Sequence, residues 1–167
     1  MGSICGPSIA NLFVMIYENK WLTIHRPLIY YRYIDDLFVV LDNLSLIDSL
    51  KNAFGRLKLT FEKGEIIKFL DLEITRDNIT TNLDFSMYFK PTNTFSYLQI
   101  ESNHPKHIFN NLAKSLLIRA KRICSKFNNY IFFASTIFKQ LISRGYNSSL
   151  LDKIFTMVVG SKHSSFI

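Results

Sequence analysis

Two runs of strand-forming residues, 28–34 and 37–41, are separated by only two residues, Asp35 and Asp36. The runs are rich in tyrosine, isoleucine, phenylalanine and valine, and so short a connection between them is typical of a β-hairpin. Because both runs are apolar almost throughout, the hairpin is expected to belong to a sheet with buried faces. The first half of the chain is therefore predicted to contain β-structure.

The adjacent carboxylates of Asp35 and Asp36 have two interpretations. Aspartate tolerates tight-turn geometry, so the pair is most simply a structural turn. Two like charges side by side also repel each other, and a divalent cation relieves that repulsion. Mg²⁺ prefers oxygen ligands and often binds through one or two carboxylates together with substrate phosphates. The pattern taken alone favours the turn, and a metal site is the alternative.

Helices and further strands are predicted around the hairpin. Residues 6–21 have apolar side chains at helical spacing, with Pro7 in the first turn, and Ser45 is expected to cap a second helix whose apolar positions extend to Leu57. The apolar side chains of the first helix are Ile9, Leu12, Phe13, Ile16 and Tyr17. The strand-like segments that follow are residues 58–62, 66–75 and 83–89, with turn residues at 76–78.

Beyond residue 92 the pattern is helical. Three helices are predicted over residues 105–124, over about residues 129–144 with Gly145 as the stop, and from residue 148 or 149 onward. The side chains expected to point inward are Ile108, Leu112, Leu116 and Ile123 in the first helix, and Leu151, Ile154, Phe155 and Val158 in the third. The sequence therefore predicts an α+β fold, with helices and antiparallel strands in residues 1–91 and an all-α bundle in residues 92–167.

Charge is distributed unevenly along the chain. Residues 1–101 contain 10 Lys/Arg and 12 Asp/Glu, whereas residues 102–167 contain 10 Lys/Arg and 1 Asp/Glu. Clustered cations beside phosphates gain free energy from counterion release, so the second half is a plausible partner for a polyanion. The alternative is a solvated basic face that binds nothing specific.

Targeting and cysteine patterns point to an intracellular protein. Cys5 and Cys124 match no paired-cysteine zinc or redox spacing. The amino terminus lacks the basic region of a signal peptide, and the longest apolar run is too short to span a bilayer. The sequence therefore predicts a nuclear or cytoplasmic location and no membrane partner.

Four blocks of sequence, in order along residues 1–126, resemble motifs of reverse transcriptases. YIDD at residues 33–36 resembles motif C, the hairpin that carries a metal-binding aspartate in the polymerase palm. MGSICGPSIANLF at residues 1–13 is similar to motif B, and KFLDLEI at residues 68–74 is similar to the primer grip. YFKPTNTFSYLQIESNHPKHIF at residues 88–109 and the later RAKRICS resemble the polymerases of Penelope-like retroelements.

The resemblance implies an RNA-directed DNA polymerase, a nucleotidyltransferase that uses an RNA template, a DNA primer and deoxynucleoside triphosphates. Two Mg²⁺ ions, or Mn²⁺ as a substitute, stabilise the attacking 3′-oxygen and the leaving pyrophosphate in that chemistry. Asp35 would be the principal metal ligand and Asp36 a secondary one. The other implied assignments are Gly2, Pro7, Asn11 and Tyr33 in the nucleotide and template cleft, Phe69, Leu70 and Asp71 in the primer grip, and Lys58 or Lys63 as a proton donor to pyrophosphate.

The same resemblance implies a partial palm in residues 1–91 and a thumb over the nucleic-acid duplex in residues 92–167. Tyr97 and His104 could stack on or hydrogen-bond to nucleic acid; alternatively, Tyr97 packs in the core and His104 caps the helix at Pro105. Three short helices also suit a helix-turn-helix module that binds DNA without catalysis. The residues that could reach backbone phosphates are Lys90, His104, Lys106, Lys114, Arg119, Lys121, Arg122 and Lys126.

The chain departs from the reverse transcriptase pattern upstream of motif B. That family carries a further metal-binding aspartate there, together with the fingers, and this chain begins inside the motif. No acidic residue precedes Glu18, which is predicted near the end of the first helix, the wrong place for a metal ligand. The expectation is a carboxyl-terminal polymerase fragment that is inactive by itself and lacks its fingers and motif A partner.

Three hypotheses follow from the sequence. The first is the polymerase fragment, and the second is a non-catalytic module that binds RNA or DNA. The third is a non-functional retroelement remnant that folds poorly. In the third case, apolar surface on the hairpin and the first helix is expected to be exposed and to cause aggregation.

Overall fold

The chain forms two compact units, which divide between Lys63 and Gly64. A computed structural model describes residues 4–76 and 82–161. Those residues form five helices and two small antiparallel sheets, so the predicted α+β class is confirmed. Unit 1 contains α1 (Gly6–Ile24), β1 (Ile29–Tyr33), β2 (Asp36–Val40) and α2 (Leu46–Ala53). Unit 2 contains β3 (Ile66–Phe69), β4 (Leu72–Arg76), β5 (Leu83–Met87), α3 (Lys106–Ile123), α4 (Phe127–Ile142) and α5 (Ser148–Gly160).

The core of unit 1 is formed by the two helices and the hairpin. Trp21, Leu50 and Phe54 are buried, and partly buried side chains from both strands pack against them. Strands β1 and β2 pair antiparallel, with Tyr30 opposite Val39. Alternate side chains of a strand point to opposite faces, so the hairpin has one face towards this core.

Helix α1 does not bury the apolar stripe predicted for it. Instead it buries Glu18 and Trp21, and it extends beyond the predicted end to Ile24. The reason is a hydrogen-bonded ion pair between Arg32 of β1 and Glu18, which turns this side of α1 towards the hairpin. The exposed stripe residues are Ile9, Leu12, Phe13 and Ile16, at 59%, 57%, 48% and 55% of their full exposure. The apolar exposure expected on the first helix is therefore confirmed.

The hairpin forms where the sequence predicts it, but its turn lies one residue earlier. Ile34 and Asp35 form the turn, while Asp36 is the first residue of β2 and pairs with Tyr33. Two-residue turns with a positive φ at the first position match the twist of hairpin strands. The two aspartates therefore occupy different backbone positions, one in the turn and one in the ladder.

Three predictions after the hairpin are wrong. Ser45 stands at the N-cap position of α2, but its side chain makes no capping hydrogen bond, and α2 already ends at Ala53. Residues 58–62, which the structure describes throughout, are not a strand, because they have no neighbour in either hydrogen-bonded ladder. The predicted strand 66–75 is a hairpin, since Leu70 with a φ of 58° separates β3 from β4.

Unit 2 combines a three-stranded antiparallel sheet, in the order β3-β4-β5, with three helices. Helix α3 packs against α4 and α5, and β5 packs against α3 and α4. The strand predicted over residues 83–89 is confirmed as β5. Arg76, predicted as a turn residue, belongs to β4, and the other predicted turn residues, 77 and 78, lie outside the described residues.

The three predicted helices of unit 2 are confirmed within a few residues at each end. The core-facing side of α3 is shifted by about one position, because it includes Ala113 and Ala120, both fully buried, which the predicted apolar side leaves out. α3 buries Phe109, Ala113, Leu117 and Ala120, whereas the predicted Ile108, Leu112, Leu116 and Ile123 are only partly buried. α5 buries Leu151, Ile154 and Val158 as predicted, and Phe155 is partly buried.

The loop between α4 and α5 depends on a glycine. Gly145 has a φ of 87°, and a Cβ at this position would lie 2.6 Å from Cγ2 of Ile100. Glycine adopts this left-handed conformation without steric strain. Asn147 then caps α5, because its side chain accepts a hydrogen bond from the Leu150 backbone N–H at 3.3 Å.

The two compact units divide after Lys63, whereas the sequence predicts a domain boundary after residue 91. Strand β5 folds with the helices, because Ser125 binds to it at the end of α3. The Ser125 N–H donates to the Phe85 carbonyl at 2.8 Å, and the Phe85 N–H donates to Ser125 Oγ at 3.0 Å. The sheet and the helices of unit 2 therefore form one compact body.

Candidate metal-ion turn and nucleic-acid interface

The turn of the β1–β2 hairpin presents two exposed carboxylates, those of Asp35 and Asp36. Ile34, the first turn residue, has a φ of 56°. A β-branched residue rarely adopts this left-handed conformation, which costs about 1–3 kcal/mol. Surrounding interactions must therefore hold the turn in its observed shape.

Arg32 supplies those interactions. Its Nη1 donates to the Ile34 carbonyl oxygen at 2.9 Å and to Asn11 Oδ1 at 2.8 Å, while its Nε donates to Glu18 Oε1 at 2.7 Å. Asn11 and Glu18 lie on α1, so one guanidinium joins that helix to the hairpin turn. The structure therefore brings the predicted cleft residue Asn11 next to the turn that carries the two aspartates.

Sequence reasoning missed the role of Glu18. This residue is only 6% exposed, and its carboxylate accepts hydrogen bonds from Arg32 and from the Tyr30 hydroxyl, the latter at 2.8 Å. Burial, followed by the hydrogen bond to Glu18, raises the pKa of Tyr30 well above its ordinary value. The available signal was one acidic residue in a helix of apolar residues, together with an arginine on the facing strand. Glu18 therefore holds strand β1 of the hairpin against α1 through these two hydrogen bonds.

The chemistry of the turn fits Mg²⁺. Asp35 and Asp36 supply hard oxygen ligands, and their exposure leaves room for a phosphate-bearing substrate. Across residues 4–76 and 82–161, no three His, Cys, Asp or Glu side chains come together as a possible metal site. Two carboxylates combined with substrate phosphates remain a common way to bind Mg²⁺.

The other unit 1 residues assigned by resemblance remain predictions. Pro7 lies in the first turn of α1 and is exposed, and Tyr33, at the end of β1, is 56% exposed. Lys58 and Lys63 are exposed in the irregular segment after α2. Neither lysine takes part in a hydrogen bond or ion pair with the described residues. Gly2 lies outside the described residues.

A second hairpin turn, between β3 and β4, contains the predicted primer-grip residues. Phe69 ends β3, and Leu70 has a left-handed φ of 58° before Asp71. The Asp71 carbonyl oxygen accepts a hydrogen bond from the Tyr88 N–H at 2.8 Å, and its carboxylate pairs with Arg119 of α3. This aspartate is therefore engaged within unit 2, as is the predicted phosphate-binding Arg119.

Two more of the predicted phosphate-binding cations are engaged in unit 2. Lys126 Nζ lies 2.5 Å from Asp84 Oδ2 on β5. Lys121 is partly buried and binds the carboxyl-terminal end of α5, where unpaired carbonyls carry partial negative charge. Its Nζ donates to the carbonyl oxygens of Val158, Val159 and Ser161 at 2.6, 3.1 and 2.6 Å.

A polar stripe runs along the exposed face of α3. His107, Asn111, Lys114 and Arg122 recur at helical spacing and are all exposed. They extend over about 22 Å at the usual rise of an α-helix. Neither Lys114 nor Arg122 forms a hydrogen bond or ion pair within the described part of the chain. The predicted phosphate-binding lysines and arginines that remain exposed without such bonds are Lys90, Lys106, Lys114 and Arg122.

Residues 96–156 match the family model of the animal helix-turn-helix domain. The match covers less than half of the chain and takes in α3, α4 and most of α5. No curated protein and no solved structure matches this chain. None of the helices in the described residues is long and apolar enough to cross a membrane.

Within the helix-turn-helix match, positive charge is concentrated on the first helix. In DNA-binding modules of this class, the recognition helix that enters the major groove is the second helix of the motif. Helix α4 contains one cation, Lys139, and α5 contains one anion and one cation, Asp152 and Lys153. Helix α3 contains no acidic residue, and its cations are Lys106, Lys114, Arg119, Lys121 and Arg122.

Tyr97 and His104 differ in their roles. Tyr97 is half-buried, packs against the core of unit 2 with its ring 6.2 Å from that of Phe95, and has its pKa raised by burial. Packing, the alternative for Tyr97, is therefore confirmed. His104 is exposed, and its Nδ1 lies 3.2 Å from Ser102 Oγ. The predicted helix cap at His104 is wrong, because α3 starts after Pro105 without a side-chain cap.

Proposed function

We propose that this chain is part of an RNA-directed DNA polymerase of the reverse transcriptase class. Residues 1–91 would supply a partial palm, and residues 92–167 would supply a thumb-like part that holds the nucleic acid. The observation that carries the proposal is the set of Arg32 hydrogen bonds, which fix Asn11 beside the turn that presents Asp35 and Asp36. The order of the four sequence blocks supports the same assignment.

Under this proposal Asp35 and Asp36 hold Mg²⁺, and Mn²⁺ can replace it. When bound, the two metal ions of this chemistry would stabilise charge on the attacking 3′-oxygen and on the leaving pyrophosphate. The contribution of the chain is pre-organisation, because Arg32 keeps the strained Ile34 turn in one shape. The inactivity expected for the chain by itself stays a prediction. Its physical basis is that the turn offers two carboxylates for two metal ions.

Mn²⁺ is expected to bind selectively at the hairpin turn. In the NMR spectrum of the purified chain, paramagnetic Mn²⁺ should broaden the backbone amide signals of residues 33–37 before all others. Asp35→Asn and Asp36→Asn should each weaken this broadening, because each removes one negatively charged oxygen ligand. Asp42→Asn is the matched control, since it removes an exposed carboxylate of the same unit outside the turn. Equal broadening at many exposed carboxylates would contradict the metal assignment.

A second candidate function is nucleic-acid binding without catalysis, and the helix-turn-helix match of residues 96–156 favours it. The acid-free, cationic helix α3 supports the same function. Contacts from lysine and arginine to phosphates hold nucleic acid without reading its sequence. This function would be independent of the carboxylate turn in unit 1.

Binding to an RNA–DNA hybrid duplex is expected to weaken steeply with salt. Lys114→Ala and Arg122→Ala should each reduce the slope of log K against log salt by about 0.9, the value for one phosphate contact on B-form DNA. Lys139→Ala, on the exposed side of α4, is the matched control and should change the slope less. Binding should survive Asp35→Ala and Asp36→Ala. Absence of binding at low salt, or its loss in those two variants, would rule out this second candidate.

A further inference from the structure

Two carboxylates from the sheet of unit 2 form ion pairs with two of the cations that the sequence assigns to phosphate binding. Asp71, in the β3–β4 turn, pairs with Arg119 of α3. Asp84, on β5, pairs with Lys126 at 2.5 Å and also accepts a hydrogen bond from Ser125 Oγ at 3.2 Å. Both pairs join residues that are far apart in sequence, so folding of the sheet against α3 creates them.

Both ion pairs are open to solvent. The side chains are 58% and 38% exposed for Arg119 and Asp71, and 60% and 24% exposed for Lys126 and Asp84. Exposed pairs contribute little to stability, because water screens the charges and holding two long side chains together costs entropy. A nucleic-acid strand presents many phosphates close together, so it can replace such a carboxylate at small cost.

Lys121 shows why this exchange is restricted to the exposed pairs. Its ammonium group is partly buried and binds three carbonyl oxygens at the end of α5. Removing it from that position would take a charged donor away from all three carbonyls, and the Val158 carbonyl would keep the Ser161 hydroxyl as a donor at 2.5 Å. Lys114 and Arg122 represent the opposite case, because in the described residues they have no partner to give up. These cations therefore fall into three groups. Lys121 is fixed by buried hydrogen bonds, Arg119 and Lys126 are held in exposed ion pairs that can exchange, and Lys114 and Arg122 are open.

We propose that Asp71 and Asp84 are internal competitors for nucleic-acid phosphates, and that binding exchanges them for phosphates at Arg119 and Lys126. This inference rests on the nucleic-acid binding proposed for unit 2. In the free chain the two carboxylates neutralise part of its positive surface, which lowers affinity for isolated or sparse anions. A duplex that engages Lys114 and Arg122 brings further phosphates to the paired cations. Binding is thereby restricted to ligands with several closely spaced phosphates.

The exchange makes a specific prediction for Asp71→Asn. This change leaves Arg119 without its carboxylate, so affinity for an RNA–DNA hybrid duplex at low salt should rise about two- to fivefold. The slope of log K against log salt should become steeper by up to about 0.9, because no carboxylate is set free when the phosphate binds. Fluorescence anisotropy of a labelled duplex, measured over a salt series, gives both quantities.

Two controls separate exchange from a general change in net charge. Glu73→Gln removes the same charge two residues further along the chain, where no α3 cation is bonded to the carboxylate, and it should change affinity less. In an Arg119→Gln background, Asp71→Asn should give no additional gain. Asp84→Asn with Lys126→Gln repeats the test at the second pair and replaces the first one if Asp71→Asn does not fold.

Each outcome bears on the inference. A gain in affinity and slope that depends on Arg119 supports the exchange. Equal gains in Asp71→Asn and Glu73→Gln, or a gain that persists without Arg119, would overturn it while leaving nucleic-acid binding intact. A wild-type chain that does not bind the duplex at low salt overturns the inference and also the nucleic-acid binding on which it rests.

Discussion

Arg32→Ala is expected to lower the free energy of unfolding of unit 1 by about 3–5 kcal/mol. The Glu18 side chain is 7% exposed and that of Arg32 is 17% exposed, so the change leaves a buried carboxylate whose one remaining partner among the described residues is the Tyr30 hydroxyl. The Ile34 carbonyl also loses its donor. Urea unfolding followed by Trp21 fluorescence measures this effect, because the single tryptophan of the chain lies in the core of unit 1.

Three comparison variants make this test specific. Lys51→Ala breaks the exposed pair with Asp48 and should change stability much less than Arg32→Ala does. Arg32→Lys should not restore full stability, because an ammonium group cannot reproduce a planar guanidinium that binds three acceptors. The paired change Glu18→Leu with Arg32→Met should destabilise less than Arg32→Ala, since no charge is left buried. An Arg32→Ala variant as stable as the wild type would contradict the anchoring role.

The same ion pair explains why the sequence predicted the wrong face of α1. The spacing of Ile9, Leu12, Phe13 and Ile16 does identify a helix, and the helix is present. Periodicity alone assigns the apolar side to the core. It cannot anticipate that a buried Glu18 pairs with an arginine on the hairpin and thereby directs the opposite side inward. The apolar spacing therefore predicted that this segment is a helix, but not which of its faces is buried.

The turns show a similar limit. Asp35–Asp36 correctly located the first hairpin, but the strained residue is Ile34, and nothing in the composition of the second hairpin suggested a turn at Leu70. Neither isoleucine nor leucine is a typical left-handed residue. Contacts to other elements hold both turns instead. Arg32 connects the Ile34 carbonyl of the first turn to Asn11 and Glu18 of α1. In the second turn, Asp71 is bonded to Tyr88 and Arg119. A local sequence pattern does not contain those contacts.

For the candidate interface, the sequence identified the cations but not their partners. It correctly showed that residues 102–151 lack acidic side chains. The acids that pair with Arg119 and Lys126 come from the sheet, which precedes α3 in the sequence. Lys121 binds the end of α5, which follows α3 in the sequence. Net charge by segment therefore overstates how many cations are open to a phosphate. Only the fold separates the open cations from the engaged ones.

Lys121→Ala is expected to destabilise unit 2 by about 2–4 kcal/mol, although the sequence assigned this lysine to phosphate binding. Its ammonium donates to the Val158, Val159 and Ser161 carbonyls, and the positive charge is favourable at the carboxyl-terminal end of α5. Amide hydrogen exchange along α5 and thermal unfolding measured by circular dichroism both report the loss. Lys114→Ala is the matched control, with stability unchanged within about 0.5 kcal/mol, because its exposed side chain forms none of the described bonds. Were Lys121→Ala to keep its stability and lose duplex affinity as Lys114→Ala does, Lys121 would belong to the phosphate-binding surface and the α5 cap would be dispensable.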